Sequence, residues 1–216
     1  LLFPIFYKFS PLGETRVELE KRLIRLADAA HTHVRGVYSF DMSSKTRSAN
    51  AALTGLGNTR QIILADTLLN EFSDDEIETV LAHELGHHVH KDIQWNILIS
   101  TITILAGFFF VSMALKWGMQ VFGFSAIGDI ATLPLFGIIL SFFGLITMPL
   151  SNGFSRWRER LADRYALEAT GKNQAFASAM KRLANQNLSE ANPEPWIEWL
   201  LYSHPALDKR IAMAEN

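Results

Sequence analysis

The sequence predicts a mainly α-helical α+β fold with a small β-sheet and an inserted transmembrane helical hairpin. Three observations predict it. Short alternating stretches occur only between Val34 and Ala65, two long uncharged runs occupy Ile93–Leu115 and Ile130–Leu150, and most of the rest has helical periodicity. The segments divide as 1–92, 93–150 and 151–216, with the apolar hairpin in the middle.

In order along the chain, Leu1 to Leu12 is apolar and aromatic, is broken by Pro4 and Pro11, and reads as an extended or membrane-skirting segment. The chain opens Leu1-Leu2-Phe3-Pro4 without an initiator Met, which points to a natural N-terminus further upstream. Glu14 to about His31 places Val17 or Leu19, Leu23, Leu26 and Ala30 at helical spacing among charges, an amphipathic helix packed on a core. Val34–Met42 alternates, with Tyr38, Phe40 and Met42 on one side and Ser39 and Asp41 on the other, and reads as a strand. Asn50–Thr54 and Arg60–Ala65 are joined by Gly55-Leu56-Gly57-Asn58, a hairpin pattern. Two readings of this sheet stand together: an edge that pairs with an extended peptide, or a roof over the core.

Ser73 starts the next helix with a full set of start signals. Glu76 completes a capping box, Phe72 and Ile77 occupy hydrophobic-staple positions, and Asp74 and Asp75 face the positive end of the helix dipole. The helix carries His83-Glu84-Leu85-Gly86-His87, and its pattern allows it to continue beyond Lys91. Residues four apart lie about 40° apart around a helix axis, so both imidazoles can face one ion. Glu84 follows the first of them, from where its carboxylate can act on a water as general base without being a ligand. His88 is turned about 100° from His87, and both His88 and His90 read as interfacial or solvated side chains.

Ile93–Leu115 contains no charged residue, spans about 35 Å as a helix, and is flanked by Trp95 and Trp117. Ile130–Leu150, though it contains Pro134 and Gly137, is also long enough to span. Two buried core helices are the alternative, but a domain of this size would struggle to enclose both. Lys91, Arg156, Arg158 and Arg160 lie on one side of the hairpin and Lys116 on the other, so the positive-inside rule puts the charged segments in the cytoplasm. Helices then follow over Phe154–Ala169 and Asn173–Asn187, with Gly171 between them, and over Trp196–Tyr202 after the Asn192-Pro193-Glu194-Pro195 break. His204-Pro205 precedes a last helical segment through Arg210.

The net charge of −2 gives no basic footprint, so nucleic acid is not an expected partner. With Cys absent, His and carboxylates are the available ligands for a zinc-like ion. Two His are too few for a catalytic site, and Glu159, with Asp163 one turn on, is the best further candidate; a solvated carboxylate pair explains them equally well by pattern.

The stretch Asn152-Gly153-Phe154-Ser155-Arg156-Trp157-Arg158-Glu159-Arg160-Leu161-Ala162-Asp163 fits N-x-x-S-R-x-x-E-x-x-A-D. On that stretch, and on the order H-E-x-x-H, apolar hairpin, E-x-x-x-D, His-Pro, the chain resembles the integral-membrane zinc endopeptidases that include the type I CAAX prenyl proteases and the heat-shock-type membrane proteases. Phe3–Leu12, Val37-Tyr38, Ser44–Ala51 and Asp66–Leu69 resemble the CAAX-protease branch in particular. The resemblance implies a zincin-like, gluzincin-type catalytic domain holding one Zn2+ per chain through His83, His87 and Glu159, with Glu84 as base. It also implies Asp163 as the partner of a ligand histidine, His204 as the donor to the oxyanion, and Asn50 and Ala51 on a substrate-aligning edge strand. Arg156 would brace the site or meet a substrate carboxylate. The implied partners are a peptide or protein substrate, prenylated or membrane-bound, and the lipid bilayer. CAAX proteases carry further membrane helices ahead of this region. A membrane-protein quality-control metalloprotease would share the chemistry; a zinc-stabilised scaffold without turnover would share only the ligands.

Overall fold

The computed structural model describes residues 9–14, 16–46, 48–55, 57–186 and 190–215. Most of the apolar segment at the start, Leu56 of the hairpin turn, Arg47 and Asn187 lie outside them. The chain forms two compact units, the first made of Leu1–His90, Trp157–Glu194 and Pro205–Asn216, the second of Lys91–Arg156 and Pro195–His204.

In the first unit, β1 (Phe9–Pro11), β2 (Val37–Phe40), β3 (Ala51–Thr54) and β4 (Gln61–Ala65) form one sheet in the order β1-β2-β4-β3. The expected hairpin is β3–β4, antiparallel with Ala51 opposite Leu64 and Thr54 opposite Gln61. Its turn needs Gly55, whose φ is +86° and whose position leaves no room for a Cβ beside the Thr59 carbonyl. β2 runs parallel to β4, and β1 adds an antiparallel edge with Phe9 opposite Phe40. The segment expected to be merely extended thus ends as a strand. The Val34–Met42 strand is shorter than its alternation suggests, because pairing covers only Val37–Phe40. In β4, Ile62, Ile63, Leu64 and Ala65 are all buried, so its run is continuously apolar rather than alternating.

Helix α1 (Val17–Ala29) buries Leu19, Leu23 and Leu26, spaced as the apolar stripe predicts. A short helix α2 (Asp66–Glu71) leads into α3 (Asp74–Val89). The capping box is formed: the Ser73 side chain accepts from the Glu76 N–H, and the Glu76 carboxylate accepts from the Ser73 N–H. Phe72 and Ile77 are both buried. Glu76 also accepts from Ser178 Oγ at 2.6 Å and Arg182 Nε at 3.1 Å, both in α6 (Asn173–Gln186), so the cap fastens a second helix. Ile77, Leu81 and Leu85 of α3, with Phe176 and Met180 of α6, join the α1 and sheet residues in one core.

The second unit contains α4 (Asp92–Phe122) and the first part of α5 (Leu133–Thr170). Both are long and apolar enough to cross a membrane, and only 11% and 6% of their most apolar windows are buried, unlike core helices of a soluble protein. A Cβ on Gly107 would meet the Phe143 ring at 3.1 Å and one on Gly118 would meet Leu135 at 2.4 Å, so the helices pack antiparallel as a hairpin. Two boundaries differ from expectation. Helix α3, which carries His83 and His87, stops at Val89 instead of continuing beyond Lys91, which is left-handed at φ +58°. In contrast, the second apolar run and the charged helix after it are one helix, α5, with Pro149 inside it. Proline removes one backbone donor there, but a long helix carries that loss. Helix α7 (Pro195–Leu201) belongs to the second unit and α8 (Leu207–Glu215) to the first, the latter extending past the expected end at Arg210.

Candidate metal centre

Helix α3 brings His83 and His87 onto one face, their Nε2 atoms 3.1 Å apart and their rings at 86°. The first-unit part of α5 supplies Glu159, with one carboxylate oxygen 3.5 Å from His83 Nε2 and the other 3.5 Å from His87 Nε2. These three are the only group of His and carboxylate ligands that could hold a metal ion among the described residues. Donors around a tetrahedral ion bound at about 2.0–2.1 Å stand about 3.3 Å apart. The imidazole nitrogens are 3.1 Å apart and each lies 3.5 Å from one of the two Glu159 oxygens, close to that edge, so two histidines and a carboxylate offering either or both oxygens fit a zinc-like ion.

The approach of α5 to α3 depends on Gly86. A Cβ at that position would stand 2.9 Å from Ala162 Cα and 3.1 Å from its carbonyl oxygen. The glycine between the two histidines therefore lets the neighbouring backbone come close enough for Glu159, three residues before Ala162, to reach them.

Asp163 has no exposed side-chain surface and lies 2.8 Å from His83 Nδ1. With the imidazole proton on Nδ1, facing that carboxylate, the Nε2 lone pair is left facing His87 and Glu159. Arg210 of α8 grips the same carboxylate from the other side, Nε to Oδ2 at 2.8 Å and an Nη to Oδ1 at 2.5 Å. Burial alone would raise the Asp163 pKa, but the His83 hydrogen bond and the Arg210 charge outweigh it and hold the carboxyl at about 2. Burial pushes His83 down, and Asp163 more than restores it, leaving it above the ordinary histidine value. Glu84 is raised, chiefly by burial, with the histidine charges opposing. A carboxylate with its pKa raised toward neutrality is a better general base than an ordinary one.

The other expected site residues are placed as follows. Ala51 begins β3, which is an edge of the described sheet, and is buried; exposed Asn50 precedes it, and its carbonyl accepts from the Ala65 N–H at 2.9 Å. His88 and His90 stand outside the three-residue group: burial and the Arg60 charge lower His88, and the His90 ring meets Tyr165 edge-on at 6.3 Å. Arg156 and His204 lie in the second unit. Arg156 is buried and its Nη1 donates to the carbonyls of Glu198 at 2.9 Å and Tyr202 at 2.5 Å, a brace within that unit. His204 is exposed, with Nδ1 3.0 Å from Ser203 Oγ. Arg210 was not among the expected residues, because a single arginine six positions beyond His204 carries no spacing signal.

Residues 14–216 match peptidase family M48. An uncharacterized metalloprotease, YhfN, of Bacillus subtilis is 33% identical over 220 residues, covering 100% of this chain and 51% of the relative. CAAX prenyl protease 1 of Saccharomyces cerevisiae is 33% identical over 228 residues, covering 97% of this chain and 50% of the relative. Among solved structures, the crystal structure of Ste24p from S. mikatae superposes with a TM-score of 0.84 at 29% identity, over 100% of this chain and 54% of that one. The chain thus spans about half the length of the relatives it matches.

Proposed function

The chain belongs to peptidase family M48, whose members are metalloproteases, and from that premise we propose that it is the metal-binding portion of a membrane-embedded zinc endopeptidase of the CAAX-prenyl-protease kind. The observation that carries this reading is the convergence of His83, His87 and Glu159, with Asp163 behind His83.

In this proposal His83, His87 and Glu159 hold one zinc ion per chain. When bound, zinc supplies a Lewis acid that polarises a peptide carbonyl and lowers the pKa of a water toward about 7. Glu84 takes a proton from the attacking water and returns it to the leaving amine, work suited to its raised pKa. Asp163 and Arg210 keep His83 in the tautomer whose Nε2 is free to ligate. His204 donates a hydrogen bond to the developing oxyanion, and the β3 edge, beginning at Ala51 beside Asn50, pairs with the substrate backbone. Lys91, Arg156, Arg158 and Arg160 against Lys116 support a cytoplasmic site. The substrate class is a prenylated or membrane-bound peptide, as the CAAX prenyl protease relatives suggest by name.

Replacing Glu84 with Gln keeps the ligand set but removes the base. Zinc should remain at one equivalent while cleavage of a prenylated C-terminal peptide falls by about 100-fold or more. Hydrolysis at the wild-type rate would overturn the mechanism. Cleavage of an unfolded membrane protein in preference to the prenylated peptide would replace the substrate class with quality control.

A further inference from the structure

Helix α7 has its polarity reversed for a helix in water. Glu198 is buried with 6% of its surface exposed, whereas Trp196, Trp199 and Leu201 are 64%, 57% and 56% exposed. Trp196 and Trp199, three residues apart, share a helix face. Glutamate is among the residues least often buried, and two tryptophans side by side on one helix face form an outward apolar patch rather than scattered exposure. The surroundings of α7 are therefore less polar than its interior side.

Its depth is also defined. Asn152 Nδ2 donates to the Leu200 carbonyl at 2.7 Å, and Arg156 donates to the Glu198 and Tyr202 carbonyls. These anchors begin two residues beyond Leu150, the end of the uncharged run and itself 71% exposed. Within the second unit, α7 is thus fastened to the membrane helix where that helix leaves the hydrocarbon. Tryptophan favours this level of a bilayer, where its ring is apolar and its N–H finds water or a headgroup.

We propose that α7 is an interfacial helix: Trp196 and Trp199 enter the headgroup–acyl boundary of the leaflet in which the Ile130–Leu150 span ends, and Asn152 and Arg156 set the depth. The lipid surface is then a direct partner of the segment that leads, three residues later, to His204. This inference rests on the hairpin crossing the bilayer.

The test uses the full chain in phosphatidylcholine vesicles, with single-Trp variants in which the other four Trp are Phe. Lipids brominated near the carbonyl end or deep in the tail report depth, and acrylamide reports water. Trp196 and Trp199 emission should fall more with shallow bromines than with deep ones. Quenching by acrylamide but not by bromolipid would overturn the proposal, because the face would then be in water. Quenching by neither, with blue-shifted emission, would overturn it too, because protein would cover the face. Trp117 alone serves as the hairpin control: if it is quenched by bromolipid while Trp196 and Trp199 are not, α7 is misassigned and the hairpin stands; if Trp117 is also unquenched, the hairpin reading itself fails. Because the chain has no cysteine, Trp196→Cys and Trp199→Cys carrying an environment-sensitive fluorophore repeat the measurement with the other Trp intact.

Discussion

Adding one methyl group at Gly86 should uncouple metal affinity from stability. In Gly86→Ala the new Cβ would stand 2.9 Å from Ala162 Cα, 3.1 Å from Ala162 O and 3.3 Å from Ala162 Cβ. Comfortable carbon–carbon contact is about 3.5–4.0 Å, so α5 must retreat by about 0.6 Å or more. The obstructing atoms are mainly helix backbone, which cannot rotate aside. Ala162 lies between Glu159 and Asp163, so the retreat carries both carboxylates away from the histidines and stretches the 3.5 Å ligand separations toward roughly 4 Å, away from the ~3.3 Å edge of a zinc tetrahedron. Overpacking of this kind costs about 1–3 kcal/mol. In the metal-free protein a gain of up to about 1 kcal/mol in helix propensity offsets part of that, and the helices are free to relax. Closing around zinc restores the whole clash, so zinc affinity should fall by about 5- to 150-fold. Thermal stability of the metal-free chain should change little. Chelator competition measures the first and a melting curve the second, with Gly137→Ala as control, since nothing lies within 4 Å of a Cβ there. Zinc affinity within twofold of the parent, at unchanged stability, would refute the idea that this close approach assembles the ligands.

Other substitutions separate the remaining contacts. Asp163→Asn should lower zinc affinity by about 10- to 100-fold, and Arg210→Lys should fall between it and the parent, because one ammonium cannot grip both Asp163 oxygens; chelator competition ranks the three. Glu76→Ala removes bonds to Ser73, Ser178 and Arg182 and should cost about 1.5–3 kcal/mol in denaturant unfolding. Burial raises the Glu76 pKa, but those bonds outweigh it and the net shift is downward. A depressed folded pKa means the stabilisation is complete above the unfolded value of about 4.3 and is lost as pH falls through the folded one, so the mutant and parent should converge in acid. Arg156→Met leaves two carbonyls of the α7 segment without their buried donor; amide exchange over residues 196–204 should quicken while zinc affinity holds, and the opposite pattern would make Arg156 a site residue rather than a brace.

How much was legible depended on the range of the forces involved. The start of α3 could be read completely, because Ser73, Glu76, Phe72 and Ile77 are neighbours and capping is decided within one turn. The β3–β4 hairpin was legible for the same reason, with Gly55 supplying the positive φ its turn requires. The break after α3 was not, because it is made by a left-handed lysine with no Gly or Pro to mark it. Nor was the continuity of α5: composition changes from apolar to charged after Leu150 and reads as two segments, whereas the backbone stays helical across the change, Pro149 included. The fourth strand was missed because three residues are too few to show a period.

The metal centre shows the same limit more sharply. His83 and His87 are legible as a pair since one helix spaces them, but Glu159 arrives from a helix whose approach is decided by a missing Cβ at Gly86. Pattern made Glu159, with Asp163 one turn on, the best further candidate but left a solvated pair equally good; the resemblance tipped the balance. Arg210 had neither kind of signal. Its role exists only because α8 returns to the first unit and faces Asp163, a pairing across 47 residues. Yet the chemistry demanded some such group. A fully buried carboxylate facing a neutral histidine stays ionised only where further donors or a cation meet it, and here Arg210 does so. The sequence reading stopped at the acceptor behind His83; asking what else holds that carboxylate ionised would have called for a further donor or cation, without saying which residue supplies it.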